Sequence, residues 1–292
     1  MDLELRLDAV IVAVTDGAPR LLGVSDPQRA RWSLPSATLS DEATLDRAVR
    51  AAIEEQAGLE VRYVEQLYTF GDVARRSQDH RTVSIAYLAL VQETELLVGA
   101  EWLGYYDLLP WEDHRSGTSP MIESTVEPLL ISWAGQSDER LARVSVAFGD
   151  PFDGVRVLDR YELMYEAKLV EEWWADQRVA AESPVFGEPM HLDGRRIAAT
   201  ALGRIRGKLS YRPVVFDLLA ESFTLLELQR CVEALAGVRL HKQNFRRLIE
   251  RAGLVEGTGE RASHGGRPAE LFRYRPEVQL ERSRLGVGQP YR

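Results

Sequence analysis

The segment LPSATLSDEATLDRAVRAAIEEQAGLE, residues 34–60, places one helical pattern between Pro35 and Gly58. Within residues 43–56 the apolar side chains recur at helical spacing and therefore share one side, at Leu45, Val49, Ala52 and Ile53. Gly58 then follows as a residue that can end a helix in the left-handed conformation. The pattern predicts an amphipathic helix that packs against another layer of the fold, and by itself it predicts no function.

The segments on both sides of this helix have the composition of β-strands. Residues 9–15 (AVIVAVT) and 20–24 (RLLGV) flank the turn dipeptide Asp16-Gly17. After the helix, VRYVEQLYTF (61–70) and TVSIAYLALV (82–91) are rich in β-branched and aromatic residues, and the polar loop GDVARRSQDHR separates them. Strands before and after a single helix predict a mixed α/β sandwich.

Helical patterns dominate residues 113–186. MIESTVEPLLISWAG and YELMYEAKLVEEWWADQR have acidic outer faces, and the second predicts a helix from the spacing of Leu163, Ala167, Val170 and Trp174. No chemical motif lies there, so we interpret the region as a helical insertion for packing or dimerisation. HLDGRRIAATALGRIRGK (191–208) predicts a further helix, and Pro213 then marks a boundary.

Length and cysteine content limit the class of protein. The 292 residues are enough for about two domains with cores of their own. No apolar run approaches the roughly 18–20 residues of a membrane span, and MDLELRLDAV lacks the order of a signal peptide. The single cysteine, Cys231, excludes an internal disulfide and favours a cytoplasmic location.

Charge is distributed unevenly along the chain. The net charge of −9 combines 17 Lys and Arg against 10 Asp and Glu in residues 201–292 with 19 basic against 35 acidic residues in 1–200. An acidic body with a basic C-terminal third predicts that this third contacts a polyanion. Chance variation of the surface charge is the alternative.

Residues 211–275 have the pattern of a helix-turn-helix followed by a hairpin. Thr224 and Glu227 have the spacing of a capping box, and the helix LLELQRCVEALAG that they open ends at Gly237. LHKQNFRRLIERAGLV predicts a second helix, with inward side chains at Leu240, Phe245, Leu248, Ile249 and Ala252. Its outward side chains are His241, Lys242, Gln243, Asn244, Arg246, Arg247 and Arg251. Two short helices, the second polar and basic outside, are typical of a helix-turn-helix.

The hairpin after these helices has a basic, Gly-rich tip. EGTGERASHGGRP follows Leu254-Val255 and returns through AELFRYRP, which predicts a wing. On a double-stranded operator we expect Gln243, Asn244 and Arg247 near base edges. Phosphate contacts are expected from Lys242, Arg246, Arg261 and Arg267. A basic helical domain that binds protein is the alternative.

The segment 34–60 resembles the Nudix box, whose family pattern is G-x5-E-x7-R-E-U-x-E-E-x-G-U with U apolar. Anchored on Leu34-Pro35 and Gly58-Leu59, the pattern fits without a gap, but most of its acids are missing. The replacements are Ala37 for the first Gly, Ala43 for the next Glu, Ala51-Ala52 for Arg-Glu and Gln56 for the last Glu, whereas Glu55 remains.

In the Nudix family three glutamates at i, i+3 and i+4 share one helix face and gather a hard cation onto a diphosphate. Here that face is Ala52, Glu55 and Gln56, so we predict no catalytic residue and no metal, with Glu55 and Gln56 as vestiges. A second register, anchored on Arg50, restores Glu42, Glu54 and Glu55. It requires one deletion and one insertion, and it still places Ala51 at the first metal-site glutamate.

A more specific resemblance lies in the neighbouring segments. WSLP, LYTFGD and SIAYLALV around the box, and FTLLELQRCVEAL, LHKQNFRRLIERAGLV and GGRPAELFRY near the C-terminus, resemble the Nudix-related transcriptional regulators of NAD metabolism, the NrtR family. The long insertion resembles the alphaproteobacterial NadQ type. The resemblance implies an α+β fold, with a Nudix-like α/β/α sandwich, a helical insertion and a C-terminal winged helix-turn-helix. It divides the chain into 1–112, 113–186, 187–210 and 211–292.

The resemblance also implies an adenine-nucleotide effector, ADP-ribose, NAD or ATP, with no required cofactor. Beyond Phe70 the chain offers Arg75, Arg76 and Arg81, which suit bidentate contacts with diphosphate oxygens. Tyr68 and Phe70 suit stacking on adenine, and as strand residues they equally suit the core. We predict these five residues and Glu55 as the ligand-binding set; the alternative is that the loop arginines are solvated.

Together these features predict a homodimeric, cytoplasmic transcriptional regulator, a repressor of NAD synthesis or salvage genes, which is not an enzyme and has no membrane contact. Two alternatives remain open. One is an active Nudix hydrolase of ADP-ribose-type substrates with a regulatory DNA-binding tail. The other is a nucleotide-binding interaction module that does not contact DNA.

Overall fold

The first part of the chain folds around one mixed β-sheet. The computed structural model describes residues 2–25, 31–39, 44–61, 64–71, 80–209, 212–262, 268–275 and 277. The sheet strands are β1 (Asp2–Thr15), β2 (Ala18–Ser25), β3 (Trp32–Ser33), β4 (Ser36–Thr38), β5 (Glu65–Phe70), β6 (His80–Leu90) and β7 (Ala100–Gly104). The main path through the sheet is β3-β2-β1-β6-β5, while β4 pairs with β1 and β7 pairs with β2.

The long first strand, β1, organises both faces of the sheet. It runs parallel to β6 and antiparallel to β2 and β4. Because side chains alternate along a strand, Leu7, Ala9 and Ile11 belong to one core cluster, whereas Val10 and Val12 belong to the other. The sheet is therefore covered by apolar contacts on both faces over this half of β1.

Helices on both faces complete the sandwich, and α8 of the C-terminal part also contacts β1 and β2. α1 (Leu45–Ala57) buries Val49 and Ile53 in the cluster that contains Leu7. It begins after Thr44, whose side chain accepts from the N–H of Arg47, and ends at Gly58 with φ of 70°. α7 (Gly194–Leu209) packs on the other face, in the cluster that contains Val10. The predicted α/β/α sandwich and the helix over 43–56 are confirmed.

The region between β7 and α7 is largely helical. Its elements are α2 (Tyr105–Leu108), a 3-10 helix (Pro110–Glu112), a π-helix (Ile122–Val126), α3 (Glu127–Ala134), α4 (Asp138–Phe148), α5 (Val157–Glu166) and α6 (Glu171–Gln177). The helix expected over 161–178 is wrong as a continuous element. The chain breaks at Lys168, which has φ of 62°, and main-chain N–H groups of residues 167–169 close α5. Apolar spacing persists across the break because Leu169 and Val170 are buried there.

The C-terminal part is a winged helix. A 3-10 helix (Val214–Leu218) leads into α8 (Leu225–Ala236) and α9 (Lys242–Ala252), followed by the antiparallel hairpin β8 (Val255–Ala262) and β9 (Ala269–Tyr274). The capping box between Thr224 and Glu227 is present, and Gly237 ends α8 in the left-handed conformation. The expected α+β fold class is thus confirmed. Within the described ranges, none of the helices has the length and apolar character needed to cross a bilayer.

Candidate functional site

The helix α1, which carries the segment that resembles the Nudix box, is attached to the sheet by Gln56. The Gln56 Nε2 donates to the main-chain oxygen of Ser36 at 2.6 Å, and the main-chain N–H of Ser36 donates to Gln56 Oε1 at 3.1 Å. A carboxylate could accept from the N–H but has no proton for the carbonyl. The amide at this position is therefore specifically suited to holding α1 against β4.

The remaining side chains of this face do not fit a magnesium site. Ala52 is buried and supplies no ligand, while Glu55 is exposed and supplies one carboxylate. Within the described part of the chain, no three His, Cys, Asp or Glu side chains group as metal ligands. In the second register Glu54 is exposed and Glu42 lies outside the described residues. Magnesium in proteins is held by several oxygen ligands in octahedral geometry, which Glu55 alone does not provide.

The predicted effector residues lie partly outside the described chain. Arg75 and Arg76 are not described, and Arg81 is described only by its main chain, opposite Leu3 in the parallel pairing of β6 with β1. Tyr68 is 63% exposed and meets Phe70 edge to face at 5.6 Å between ring centroids. Phe70 is buried in the core cluster on the α7 side, whereas Glu55 is on α1 across the sheet. The structure therefore does not bring Glu55 together with Phe70.

A polar surface that the sequence reasoning missed lies on the same sheet face as Phe70. Asp8 is only 3% exposed, and its carboxylate accepts from Nε of Arg6 at 2.8 Å and from the hydroxyl of Ser84. Ser84 lies directly opposite Phe70 in the pairing of β5 with β6. Farther along β1, Glu4 accepts from the hydroxyls of Thr82 at 3.0 Å and Thr38 at 3.4 Å.

We call the part of this sheet face around Glu4, Arg6, Asp8 and Ser84 the polar half-face. It offers groups that could bind a nucleotide. The Arg6 side chain is 17% exposed, and its two Nη atoms have no acceptor among the residues that the structure describes. They can donate to a diphosphate while Asp8 fixes the guanidinium, and the exposed ring of Tyr68 can stack on a base. A signal was present in the sequence: alternate positions of β1 are charged at Glu4, Arg6 and Asp8 and become apolar at Val10.

A separate cleft of about 560 Å³ lies between the sheet and the start of the winged helix. It contains the carboxylates of Glu60, Glu65 and Asp217, and burial raises the pKa of Asp217. Among the described residues that line it, the one cation is Lys208, which is bonded to Glu65, and burial lowers the pKa of Lys208. The half-face around Arg6 also carries two carboxylates, Glu4 and Asp8. There, however, the Nη atoms of Arg6 have no acceptor among the described residues, whereas Lys208 in the cleft is bonded to Glu65. The cleft therefore fits the predicted effector less well.

The candidate DNA-binding surface is the outer side of α9. Phe245 and Ile249 are buried under the helix, and the predicted contact residues Lys242, Gln243, Asn244, Arg246 and Arg247 are all exposed. Within the described chain none of these cations forms an ion pair, although Arg247 donates to Asn244 Oδ1 at 3.3 Å. The expectation that Leu248 faces inward is wrong. Leu248 is 37% exposed, because it lies on the flank of the narrow apolar side formed by Phe245 and Ile249.

Glu233 fixes the turn between α8 and α9. Its Oε1 accepts from Gln229 Nε2 and from the main-chain N–H of Leu240, each at 2.9 Å, and Oε2 accepts from Arg239 at 2.9 Å. Burial would raise the pKa of Glu233, but these hydrogen bonds and the Arg239 charge outweigh it and lower that pKa. The ionised side chain thereby holds α9 in a defined orientation on α8.

Of the two predicted contact residues in the wing, one lies among the described residues and the other lies outside them. Arg261 is exposed near the end of β8, and the register of the hairpin shifts between Gly257 and Arg261. Arg267 lies outside the described residues. On β9, Arg273 Nε bonds to Glu256 at 2.6 Å, so this arginine is already paired.

Known proteins are similar to both the N-terminal and the C-terminal part of the chain. Residues 215–274 match the family described as the NrtR DNA-binding winged helix domain. The ADPR responsive transcriptional repressor NtrR of Acinetobacter baylyi is 22% identical over 275 residues, covering 92% of this chain and 81% of the relative.

Two solved structures share the arrangement over nearly the whole chain. Shewanella oneidensis NrtR complexed with a 27mer DNA is 21% identical, with a TM-score of 0.60 over 94% of this chain and 95% of that chain. A MutT/nudix family protein from Enterococcus faecalis is 16% identical, with a TM-score of 0.57 over 94% of this chain and 87% of that chain. The chain therefore has a Nudix-like fold followed by a winged helix domain that matches the NrtR family.

Proposed function

We propose that this protein is a transcriptional repressor that binds DNA through its winged helix and senses ADP-ribose without hydrolysing it. The observation that carries the proposal is the exposed cationic side of α9, which forms no ion pair with any described residue and lies within the segment that matches the NrtR winged helix. In this proposal residues 1–112 and 187–210 form the sensor, 113–186 the insertion and 211–292 the DNA-binding domain.

The DNA-binding part of the proposal assigns two kinds of contact. Gln243, Asn244 and Arg247 read base edges in the major groove, because their side chains form the bidentate contacts that distinguish bases. Lys242, Arg246, Arg261 and Arg267 contact phosphates, which orient the domain without reading sequence. Because operators of helix-turn-helix dimers are two-fold symmetric, we propose a homodimer on two half-sites one helical turn apart.

ADP-ribose is the effector that we favour over NAD and ATP. The Acinetobacter baylyi relative is named for its response to ADPR, and the relation covers 92% of the present chain. On the sheet, the exposed ring of Tyr68 and the fixed guanidinium of Arg6 suit a base and a diphosphate. Arg75, Arg76 and Arg81 are proposed as additional diphosphate contacts, and no cofactor is required.

The absence of catalysis is proposed from the chemistry of α1. One exposed carboxylate, Glu55, remains on the face that holds magnesium in the Nudix box, and Gln56 is bonded to Ser36. Loss of metal ligands removes charge stabilisation from the transition state and costs orders of magnitude in rate.

We further propose that the protein regulates genes of NAD synthesis or salvage, that it belongs to the NadQ type and that it is located in the cytoplasm.

One experiment tests the DNA-binding part directly. The full chain selects duplexes from a random-sequence pool, and its affinity for the selected duplex and a scrambled one is then measured at several salt concentrations. We expect the selected duplex to contain two related half-sites and to bind at least about 10³-fold more tightly than the scrambled duplex. Equal binding to both at every salt concentration contradicts a sequence-specific regulator, and binding to neither duplex favours an interaction module that does not contact DNA.

A further inference from the structure

The C-terminal end of α8 is bonded to the sensor domain through its main-chain carbonyls. The Tyr106 hydroxyl donates to the oxygen of Ala234 at 2.5 Å, and Nε of Arg206 donates to the oxygen of Leu235 at 2.9 Å. The main-chain N–H of His114 donates to the oxygen of Gly237 at 2.7 Å. The last carbonyls of a helix lack partners within the helix. Here three donors outside the winged helix supply them, and we call Tyr106, His114 and Arg206 the α8 clasp.

Arg206 in the clasp is part of a buried charge cluster. Its Nη1 bonds to Glu112 Oε2 at 2.5 Å and to the oxygen of Gly154 at 3.1 Å, and its Nη2 bonds to the oxygen of Glu112 at 2.9 Å. Arg160 binds the same carboxylate through two nitrogens, at 2.6 and 2.9 Å. All three charged side chains are almost fully buried. The cluster thus joins the sensor, the insertion and α8 in one fixed arrangement.

The close approach of α8 to the sensor depends on Gly237. This glycine has φ of 71°, and a Cβ there would overlap the main-chain oxygen of Glu112 and lie 2.5 Å from Nη2 of Arg206. Only a residue without a side chain therefore allows both the helix end and the contact. Because the Glu233 bonds fix α9 on α8, the contact at Gly237 also determines where α9 lies relative to the sensor.

The clasp has a short connection to the sheet. Tyr106 belongs to α2, which follows directly after the strand β7 at Gly104. The neighbouring Tyr105 is buried and donates from its hydroxyl to the oxygen of Ala198 in α7 at 2.7 Å. Tyr106 is therefore connected to the sheet without an intervening loop.

We propose that Tyr106 and Arg206 are positioning residues for DNA binding, which hold α8 and α9 on the sensor and transmit nucleotide binding to the DNA-contacting helix. This inference rests on the proposed function, because it assumes that a nucleotide changes DNA affinity. Such coupling requires an element whose arrangement both sites affect. In this proposal the element is the C-terminal end of α8, whose position depends on the hydrogen bonds that Tyr106 and Arg206 donate to the oxygens of Ala234 and Leu235.

The test uses Tyr106→Phe in the full chain, which removes one hydroxyl and keeps the ring. Tyr165→Phe is the matched control, because the Tyr165 hydroxyl bonds to Asp176 at 2.7 Å inside the insertion. The DNA is the duplex that the parent protein selects, and the nucleotide is ADP-ribose. The measured quantity is the ratio of duplex Kd with and without saturating ADP-ribose, together with amide hydrogen exchange over residues 225–252.

We expect Tyr106→Phe to accelerate exchange in α8 and to change the Kd ratio by on the order of fivefold, the worth of about one hydrogen bond. The control keeps the parent ratio, and both variants keep the parent affinity for ADP-ribose without DNA. An unchanged ratio in Tyr106→Phe, or unchanged exchange in α8, overturns the positioning role while the proposed function stands. A parent protein whose duplex Kd does not respond to ADP-ribose overturns both.

Discussion

The side-chain amide of Gln56 forms a reciprocal pair of hydrogen bonds with the main chain of Ser36, at 2.6 and 3.1 Å. In the Nudix box this position belongs to a metal-binding glutamate. The two roles exclude each other, because a carboxylate at Gln56 would face the carbonyl of Ser36 with no proton to share. The bond pair thus gives Gln56 a structural role in attaching α1 to β4.

We predict that Gln56→Glu lowers the free energy of unfolding by about 1–3 kcal/mol, since the oxygen of Ser36 loses its donor. Glu55→Gln is the matched control, because Glu55 is exposed; its effect should stay within about 0.5 kcal/mol. Chemical denaturation measures both. Equal stability of the two variants would show that the Ser36 bonds do not hold α1.

The double variant Ala52→Glu with Gln56→Glu tests whether restored carboxylates on α1 give hydrolysis of ADP-ribose in the presence of magnesium.

Effector binding is predicted to depend on the polar half-face of the sheet. Arg6→Ala and Tyr68→Ala should each weaken ADP-ribose binding by about 1.5–3 kcal/mol, because a charged hydrogen bond or a stacking contact is lost. The same loss is expected for whichever of Arg75, Arg76 and Arg81 contacts the diphosphate. Isothermal calorimetry measures the affinity. Arg143→Ala, in the insertion, is the control with an equal charge change, and unchanged affinity in every other variant would place the site elsewhere.

DNA binding is predicted to separate into two classes of variant. Arg247→Ala should cost about 1–3 kcal/mol on the selected duplex and relax preference at one base position. Arg246→Ala should weaken the selected and scrambled duplexes alike and lower the salt slope by about one unit. Arg140→Ala on α4 is the control for the change in net charge. If Arg246→Ala and Arg247→Ala both bind like the parent at every salt concentration, α9 is not the DNA-contacting helix.

Acid should weaken the buried cluster around Glu112. Burial alone would raise the pKa of Glu112, but the charges and hydrogen bonds of Arg160 and Arg206 outweigh it and lower that pKa. The ionised carboxylate therefore stabilises the fold at pH values above about 4.3, the pKa of the group in the unfolded chain. This contribution is lost as the pH falls through the lower pKa that Glu112 has in the folded state.

Glu112→Gln removes that contribution and leaves two buried arginines without their counter-charge. We expect it to be less stable than the parent at pH 7 by about 3–5 kcal/mol and to lose less stability on acidification. Thermal unfolding between pH 3 and 7 compares the two proteins. Parallel stability curves for parent and variant over that range would contradict the lowered pKa of Glu112.

The sequence predicted those elements whose signals are local. Periodicity and Gly58 located α1, and Thr224, Glu227 and Gly237 located the ends of α8. The cap at Thr44 was not predicted. Lys168 was missed because apolar residues continue through the break that it makes. The outward position of Leu248 was missed because apolar character alone did not show how narrow the buried side of α9 is.

Contacts between distant segments could not be predicted from spacing. Glu112 is 48 residues from Arg160 and 94 from Arg206, and only the fold brings the three together. Arg6 and Asp8 belong to a strand that is partly covered by α7 and partly open. Their alternating charges indicate a polar surface only because the fold places Ser84 and Phe70 beside them.

We propose above all that this protein senses ADP-ribose and does not consume it. The most direct measurement adds ADP-ribose and Mg²⁺ to the complex with the selected, fluorescently labelled duplex and follows anisotropy for several hours. We predict one step in anisotropy that persists, with ADP-ribose recovered intact at the end. No step, or a step that reverses as ADP-ribose is converted to AMP, would contradict it.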